Sequence, residues 1–295
     1  VGSVAVLATG LLASLLTGCQ TSDNEAAFRA AAARPVMLNL HRARDEVSAE
    51  PLRALTPSEP AADPVAALGQ RLYHDVQLSG DDTVSCASCH DIAKGGDDGL
   101  KTSTGIKGSV GPINAPTVLN SAFNFRQFWD GRAANLAEQA KGPVTNPLEM
   151  GAAWPEVIAK LTADDGYVAA FTAAFGDAAI DEDRIATAIA RFEETLITPA
   201  PFDRYLLGDQ AAISADAKRG YELFKGHGCV ACHQGVNVGG NLYQKFGALQ
   251  SAFEIATDAD KGRHNVTRDS GDVGVFKVPS LRNVAVTAPY FHLGT

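Results

Sequence analysis

Methionine and cysteine are both scarce, with 2 Met and 5 Cys among 295 residues. Four of the cysteines fall in two short motifs, which leaves none to pair as a structural disulfide; the fifth, Cys19, stands alone near the start. Basic residues are in deficit: 25 Lys and Arg against 34 Asp and Glu give a formal charge of −9. That balance argues against nucleic acid, whose phosphates demand Lys/Arg surfaces. It leaves protein partners open, because docking depends on local patches and not on the total. The apolar stretch Val4–Leu16 is shorter than the roughly 20 residues a bilayer-spanning helix needs. No strand-rich region is evident, nor any repeat beyond the two motifs. The length suffices for two ordinary domains.

What the chain does have is Cys-x-x-Cys-His twice, as Cys86-Ala87-Ser88-Cys89-His90 and Cys229-Val230-Ala231-Cys232-His233. This is the spacing of covalent c-type haem attachment. Two thiols three residues apart lie on one side of a helical turn and can form thioethers to the two vinyl groups of one porphyrin, while the adjacent histidine ligates the iron. Chance would supply roughly 0.002 such pentapeptides in a chain of this composition. A zinc ribbon is the alternative, but its paired knuckles lie about 15–20 residues apart. Here the pairs begin at Cys86 and Cys229.

Residues 1–18 read as a lipoprotein-type signal, because Leu16-Thr17-Gly18-Cys19 resembles a lipobox in which Cys19 becomes lipid-modified. An ordinary secretory signal with an incidental cysteine is the alternative. Either way export to the periplasm is expected, with anchoring through lipidated Cys19 as the favoured reading. The absence of an initiator Met and a basic n-region predicts that the given sequence starts late. Residues 19–62, rich in Ala, Pro, Ser and charge, read as a tether with a short helix near Ala26–Ala33.

Beyond it, a helix is expected from Pro64 to about Asp75, with Ala67, Leu68, Leu72 and Tyr73 inward. The Gly-punctuated run Lys94–Gly111 reads as loop. From Ala133 to Ile197 the apolar period is helical: Tyr167, Phe171, Phe175 in one stripe and Ile185, Ile189, Phe192, Leu196 in another. Thr162 and Asp165 have capping-box spacing. Thr198–Pro201 reads as a domain boundary, Ser214 as the cap of a helix leading to the second motif, and the remainder as loop.

Several stretches then resemble the bacterial di-haem cytochrome c peroxidases. They include Gly111-Pro-Ile-Asn-Ala-Pro-Thr-Val-Leu-Asn120, Phe128-Trp-Asp-Gly-Arg132, Ala137-Glu-Gln-Ala-Lys-Gly-Pro143 and Asn146-Pro-Leu-Glu-Met150. In the second half they include Arg191–Thr195, Gly220–His233, Phe276–Asn283 and Pro289–His292. The resemblance implies a mainly α fold of two cytochrome c-like domains, each around one covalently bound c-type haem. Residues 63–199 would form the N-terminal, low-potential domain where hydrogen peroxide is reduced. Residues 200–295 would form the C-terminal, high-potential domain, which receives electrons from a small periplasmic cytochrome c or cupredoxin.

By the same resemblance His90 and His233 are the iron ligands, Glu149 the acid–base group of O–O cleavage and Gln139 its hydrogen-bonding neighbour. Trp129 would lie between the haems as an electron relay. A solvated glutamate and a merely packed tryptophan are the alternatives. Asn114, with the carbonyls of Thr287 and Pro289, matches a calcium site of neutral oxygens. His292 matches a family histidine near the second haem, with no role assigned. The expected partners are hydrogen peroxide, the small donor protein, a membrane only through the N-terminal lipid, and a second copy in a homodimer.

Two departures from the family pattern matter. Where the family carries a loop histidine that caps the peroxidatic iron at rest, this chain has Ile106, in Ser103-Thr104-Gly105-Ile106. The first haem is therefore expected to be open in the oxidised protein and the loop mobile. The family's methionine ligand to the second iron would lie beyond Thr295, and the sequence is expected to be incomplete there. Two other functions stay open: a di-haem oxidase that modifies a partner protein, and a plain electron carrier using His41, His74, His227, His264 or His292 as sixth ligands.

Overall fold

The computed structural model describes residues 50–56, 62–247 and 254–295. The signal, Cys19 and the helix expected near Ala26–Ala33 lie outside them. Apart from two three-residue strands, the regular elements among the described residues are helices, and none of these is long and apolar enough to cross a membrane.

Helix α1 (Pro64–Tyr73) starts where Asp63 accepts hydrogen bonds from the Val65 and Ala66 amides and Pro64 pre-sets the first turn. It buries Leu68, Gly69, Leu72 and Tyr73. Ala67, expected inward, is exposed instead, because Gly69 takes the contact side. A Cβ at Gly69 would stand 1.8 Å from the Ala188 carbonyl oxygen, so only glycine lets α1 lie this close to α6 (Glu182–Glu193). Asp63 also pairs with Arg191 of α6 at 2.6 Å.

Between these two come α2 (Cys86–Cys89), α3 (Leu136–Thr145), α4 (Trp154–Thr162) and α5 (Asp165–Phe175). The cap of α5 is Asp164, which accepts from the Gly166 and Tyr167 amides; Thr162, read as that cap, instead closes α4. A carboxylate two residues from the first free amides reaches them, whereas Thr162 is spent in the preceding turn. The expected apolar stripes converge. Leu72, Tyr73, Val157, Leu161, Tyr167, Phe171, Ile185 and Ile189 are fully buried in one core, each contributing about 1.5–3 kcal/mol. Phe175 and Leu196 lie at its edge.

The rest of the chain holds α7 (Pro201–Leu206), α8 (Ala215–Gly226), capped by Ser214 as expected, and the one-turn α9 (His264–Thr267). Two three-residue strands, β1 (Tyr243–Lys245) and β2 (Val275–Lys277), pair antiparallel with Tyr243 opposite Lys277. Segment 50–56, read as part of the tether, packs onto this half. Leu52 and Leu55 are buried, and the Leu55 amide donates to Asp203 at 2.7 Å.

Candidate active site

Helix α2 is a single turn, with Ser85 ahead of it donating its amide to Ser88 Oγ at 3.0 Å. One turn puts Cys86 and Cys89 on the same side, and the His90 amide closes on the Cys86 carbonyl at 3.0 Å. His90 Nδ1 faces the Gly96 carbonyl at 3.3 Å. With the proton on Nδ1, Nε2 keeps its lone pair, as in metal-ligating histidines. Burial holds the His90 pKa below its ordinary value, so the imidazole is neutral at pH 7. Burial also pushes the Cys86 thiol up to about 12. Tyr73 anchors the turn from below, its hydroxyl donating to the His90 carbonyl at 2.6 Å.

Cys86, Cys89 and His90 line a cavity of about 170 Å³, as do Glu149, Gln139 and Trp129. Leu136, Gln139, Ala140 and Pro143 of α3 face it at i, i+3, i+4 and i+7, one side of the helix. Past Pro143 the chain winds back on itself. The Met150 amide donates to the Pro143 carbonyl at 3.2 Å, and Glu149 and Gly151 both donate to the Asn146 carbonyl. Asn146 Nδ2 donates to Glu149 Oε1 at 2.7 Å. Burial raises the Glu149 pKa, with Asn146 and then Arg132 opposing it. A carboxyl shifted toward neutrality and held by one amide suits proton transfer.

The loop Ser103–Gly111, expected to be mobile, makes several backbone contacts. Thr104 and Val110 form a bridge, Gly105 donates to the Ser109 carbonyl at 2.7 Å, and Ile106 donates to the Glu149 carbonyl at 2.8 Å. The Ile106 side chain is buried in the core. A Cβ on Gly105 would fall 2.1 Å from the Leu148 carbonyl oxygen, so glycine permits this contact.

Trp129 donates from Nε1 to the Asn114 carbonyl at 2.9 Å, and its own carbonyl accepts from the Lys277 amide at 2.8 Å. Its ring meets that of His292 at 6.3 Å. His292 is buried, stacks on Phe276 and pairs with Asp260 at 2.8 Å. On the far side of Trp129 lies a second cavity, whose lining brings Asn114, Thr287 and Pro289 together.

The second motif stands apart from the first cavity. Cys229 begins a 3₁₀ turn ending at Ala231, and His233 Nδ1 faces the Val238 carbonyl at 3.3 Å. Burial lowers the His233 pKa as it does that of His90. Both motifs thus present two free thiols and a neutral imidazole turned by a carbonyl five or six residues on. That donor set fits a c-type haem at each.

Sequence reasoning missed two buried ionisable groups in the first cavity, Glu193 and Lys277. Glu193 follows Ala186 and Ile189 at the helical spacing of the buried face of α6, a signal open to reading. Lys277 ends a strand too short to show any period.

A family model for di-haem cytochrome c peroxidases matches residues 63–211. The chain belongs to the di-haem cytochrome c peroxidase family. It is 50% identical over 249 residues to the cytochrome c peroxidase Ccp of Escherichia coli, covering 83% of this chain and 53% of that protein. It therefore spans about half the length of that relative. To the cytochrome c551 peroxidase of Nitrosomonas europaea it is 50% identical over 247 residues, covering 83% of this chain and 72% of the other. Among solved structures, a MauG-like protein associated with microbial copper homeostasis superposes with a TM-score of 0.68 at 30% identity, covering 85% of this chain and 78% of that one. Membership in this family agrees with the two Cys-x-x-Cys-His motifs in one chain.

Proposed function

We propose that this chain is a di-haem peroxidase that reduces hydrogen peroxide to two waters, with two electrons from a reduced small cytochrome c or cupredoxin and two protons. Cys86 and Cys89 would attach one haem and His90 ligate it; Cys229, Cys232 and His233 would do the same for the other. Bound there, haem supplies the redox equivalents and a coordination position for peroxide. Glu149 takes a proton from one peroxide oxygen and returns it to the other, for which its raised pKa is suited. Gln139, in the same cavity, would orient the substrate by hydrogen bonding. Trp129, whose indole and carbonyl are both held, would relay electrons. Residues 63–199 and 200–295 would each enclose one haem, and calcium would sit at Asn114, Thr287 and Pro289. Export, the Cys19 anchor and a homodimer complete the proposal.

The carrying observation is that Glu149, Gln139 and Trp129 line the same cavity as Cys86, Cys89 and His90. A plain electron carrier would have no use for that acid–amide pair. The test is expression with periplasmic haem maturation, followed by intact mass and a peroxide-dependent oxidation assay with a reduced small cytochrome c. Two covalent haems and peroxide turnover are expected; a mass showing one haem or none ends this reading.

A further inference from the structure

Seven residues line both cavities: Asn114 to Thr117, Asn124, Trp129 and Lys277. They are the wall between the two spaces, and Lys277 is its one ionisable member. Its side chain is only 7% exposed. Among the described residues it makes no ion pair, and its hydrogen bond to Trp129 comes from the backbone amide and leaves the ammonium out. The other cation of the first cavity, Arg132, is half exposed and already bridged to Asp130 at 2.9 Å. Lysines are almost never fully buried without a partner, because desolvating an ammonium costs several kcal/mol. Burial depresses the Lys277 pKa to about 8, the mark of a charge awaiting compensation. Its position is not accidental, since β1 pairs it opposite Tyr243 and the Trp129 carbonyl fixes its backbone.

We propose that Lys277 Nζ is a carboxylate-binding cation in the wall between the cavities, and that the carboxylate it takes is a porphyrin propionate. This rests on the haem reading above. A c-type haem brings two ionised carboxylates into a site otherwise lined largely by apolar groups and amides, and these need a counter-charge as much as Lys277 does. The protein carboxylates lining the two cavities are Glu149 and Glu193 in the first and Asp97 in the second; burial raises the pKa of all three, and Asp97 has a buried oxygen without a hydrogen-bond partner among the described residues.

The test uses the haem-loaded protein and three variants, Lys277→Gln, Lys277→Met and Lys277→Arg, with haem content checked by intact mass. Loss of a positive charge beside a propionate destabilises the reduced haem, so Lys277→Gln should lower the midpoint potential of one haem and shift its propionate bending band in resonance Raman spectra. Lys277→Arg should restore both. Lys277→Met decides by sign: it should lower the thermal midpoint if it strands a buried carboxylate, and raise it if the lysine had no partner. Unchanged potentials and bands, or a Met variant more stable than wild type, overturn the assignment while two haems remain bound. An effect of Lys277→Met abolished by Asp97→Asn, with bands unmoved, assigns the carboxylate to Asp97 and equally overturns it. A wild-type protein without two haems overturns the function proposed above instead.

Discussion

Glu149 and Glu193 are two carboxyls in the wall of one cavity, both raised by burial, and their surroundings give them different work. Glu149 is half-buried and held by Asn146. Glu149→Gln keeps the shape and removes the proton, so peroxide turnover should fall by about 10²-fold or more with both haems retained. Turnover within a few-fold of wild type would return Glu149 to a structural role. Glu193 is 5% exposed, and desolvation alone raises its pKa to about 8 from 4.5. Its folded value is raised, so its contribution to stability is fully present below pH 4.5 and is lost as pH rises to about 8. Over that window the unfolded chain ionises while the folded chain keeps its proton, at about 1.4 kcal/mol per unit. Glu193→Gln should therefore match wild type in thermal midpoint at about pH 4 and exceed it increasingly toward about pH 8. A difference independent of pH would mean that Glu193 ionises normally. Glu149 was legible through the Asn146–Met150 stretch it shares with its family, whereas Glu193 had only its place on a helix face to betray it.

At the scale of elements, what could be read from sequence is what has a period. Helices α1, α5 and α6 announce themselves because Leu72, Phe171 and Ile189 each recur with neighbours on one face, and all three are fully buried together. The loop Ser103–Gly111 has no period, and its glycines read only as loop. Its actual state follows from Ile106, an apolar side chain that gains more from the core than from solvent. Once it is buried, its amide falls against the Glu149 carbonyl, so loop and acid–base turn form one unit. Ile106→Ala should cost about 2–5 kcal/mol as a core truncation, and should slow peroxide turnover beyond any loss of folded protein because it frees the Glu149 turn. The cavity lining from this loop is Ser103, Gly105 and Gly111, with no imidazole among them. The oxidised protein should then show a high-spin ferric signal from the first haem and react with peroxide without prior reduction. A low-spin first haem by electron paramagnetic resonance at neutral pH would show that the loop, or a residue it carries, closes the site.

Across the whole molecule, the chain just after the second Cys-x-x-Cys-His motif is held by contacts far apart in sequence. Arg282 donates to Asp203 through both terminal nitrogens, at 3.1 and 2.9 Å, with the pair 6% and 2% exposed. The same guanidinium donates to the Val236 carbonyl at 2.6 Å and the Arg53 carbonyl at 3.3 Å. Asp203 accepts in turn from the Leu55 and Ala200 amides, both at 2.7 Å. One buried pair thus gathers segment 53–55, the start of α7 and the chain between His233 and Val238. No local pattern marks such a pair, and Asp203 and Arg282 look like ordinary surface charges in sequence. Removing one partner leaves the other charged and desolvated, so Asp203→Asn should cost about 3–5 kcal/mol. Replacing both with apolar residues of similar size should cost less than the single change. The damage should also be local in its chemistry: Val236 lies two residues from the carbonyl that orients His233, while His90 is held by the separate contact with Gly96. Denaturant unfolding of the haem-loaded variants, with absorbance and spin state followed for each haem, should show the second haem perturbed before the first. Equal perturbation of both would mean that the pair braces the fold as a whole and has no particular hold on the second site.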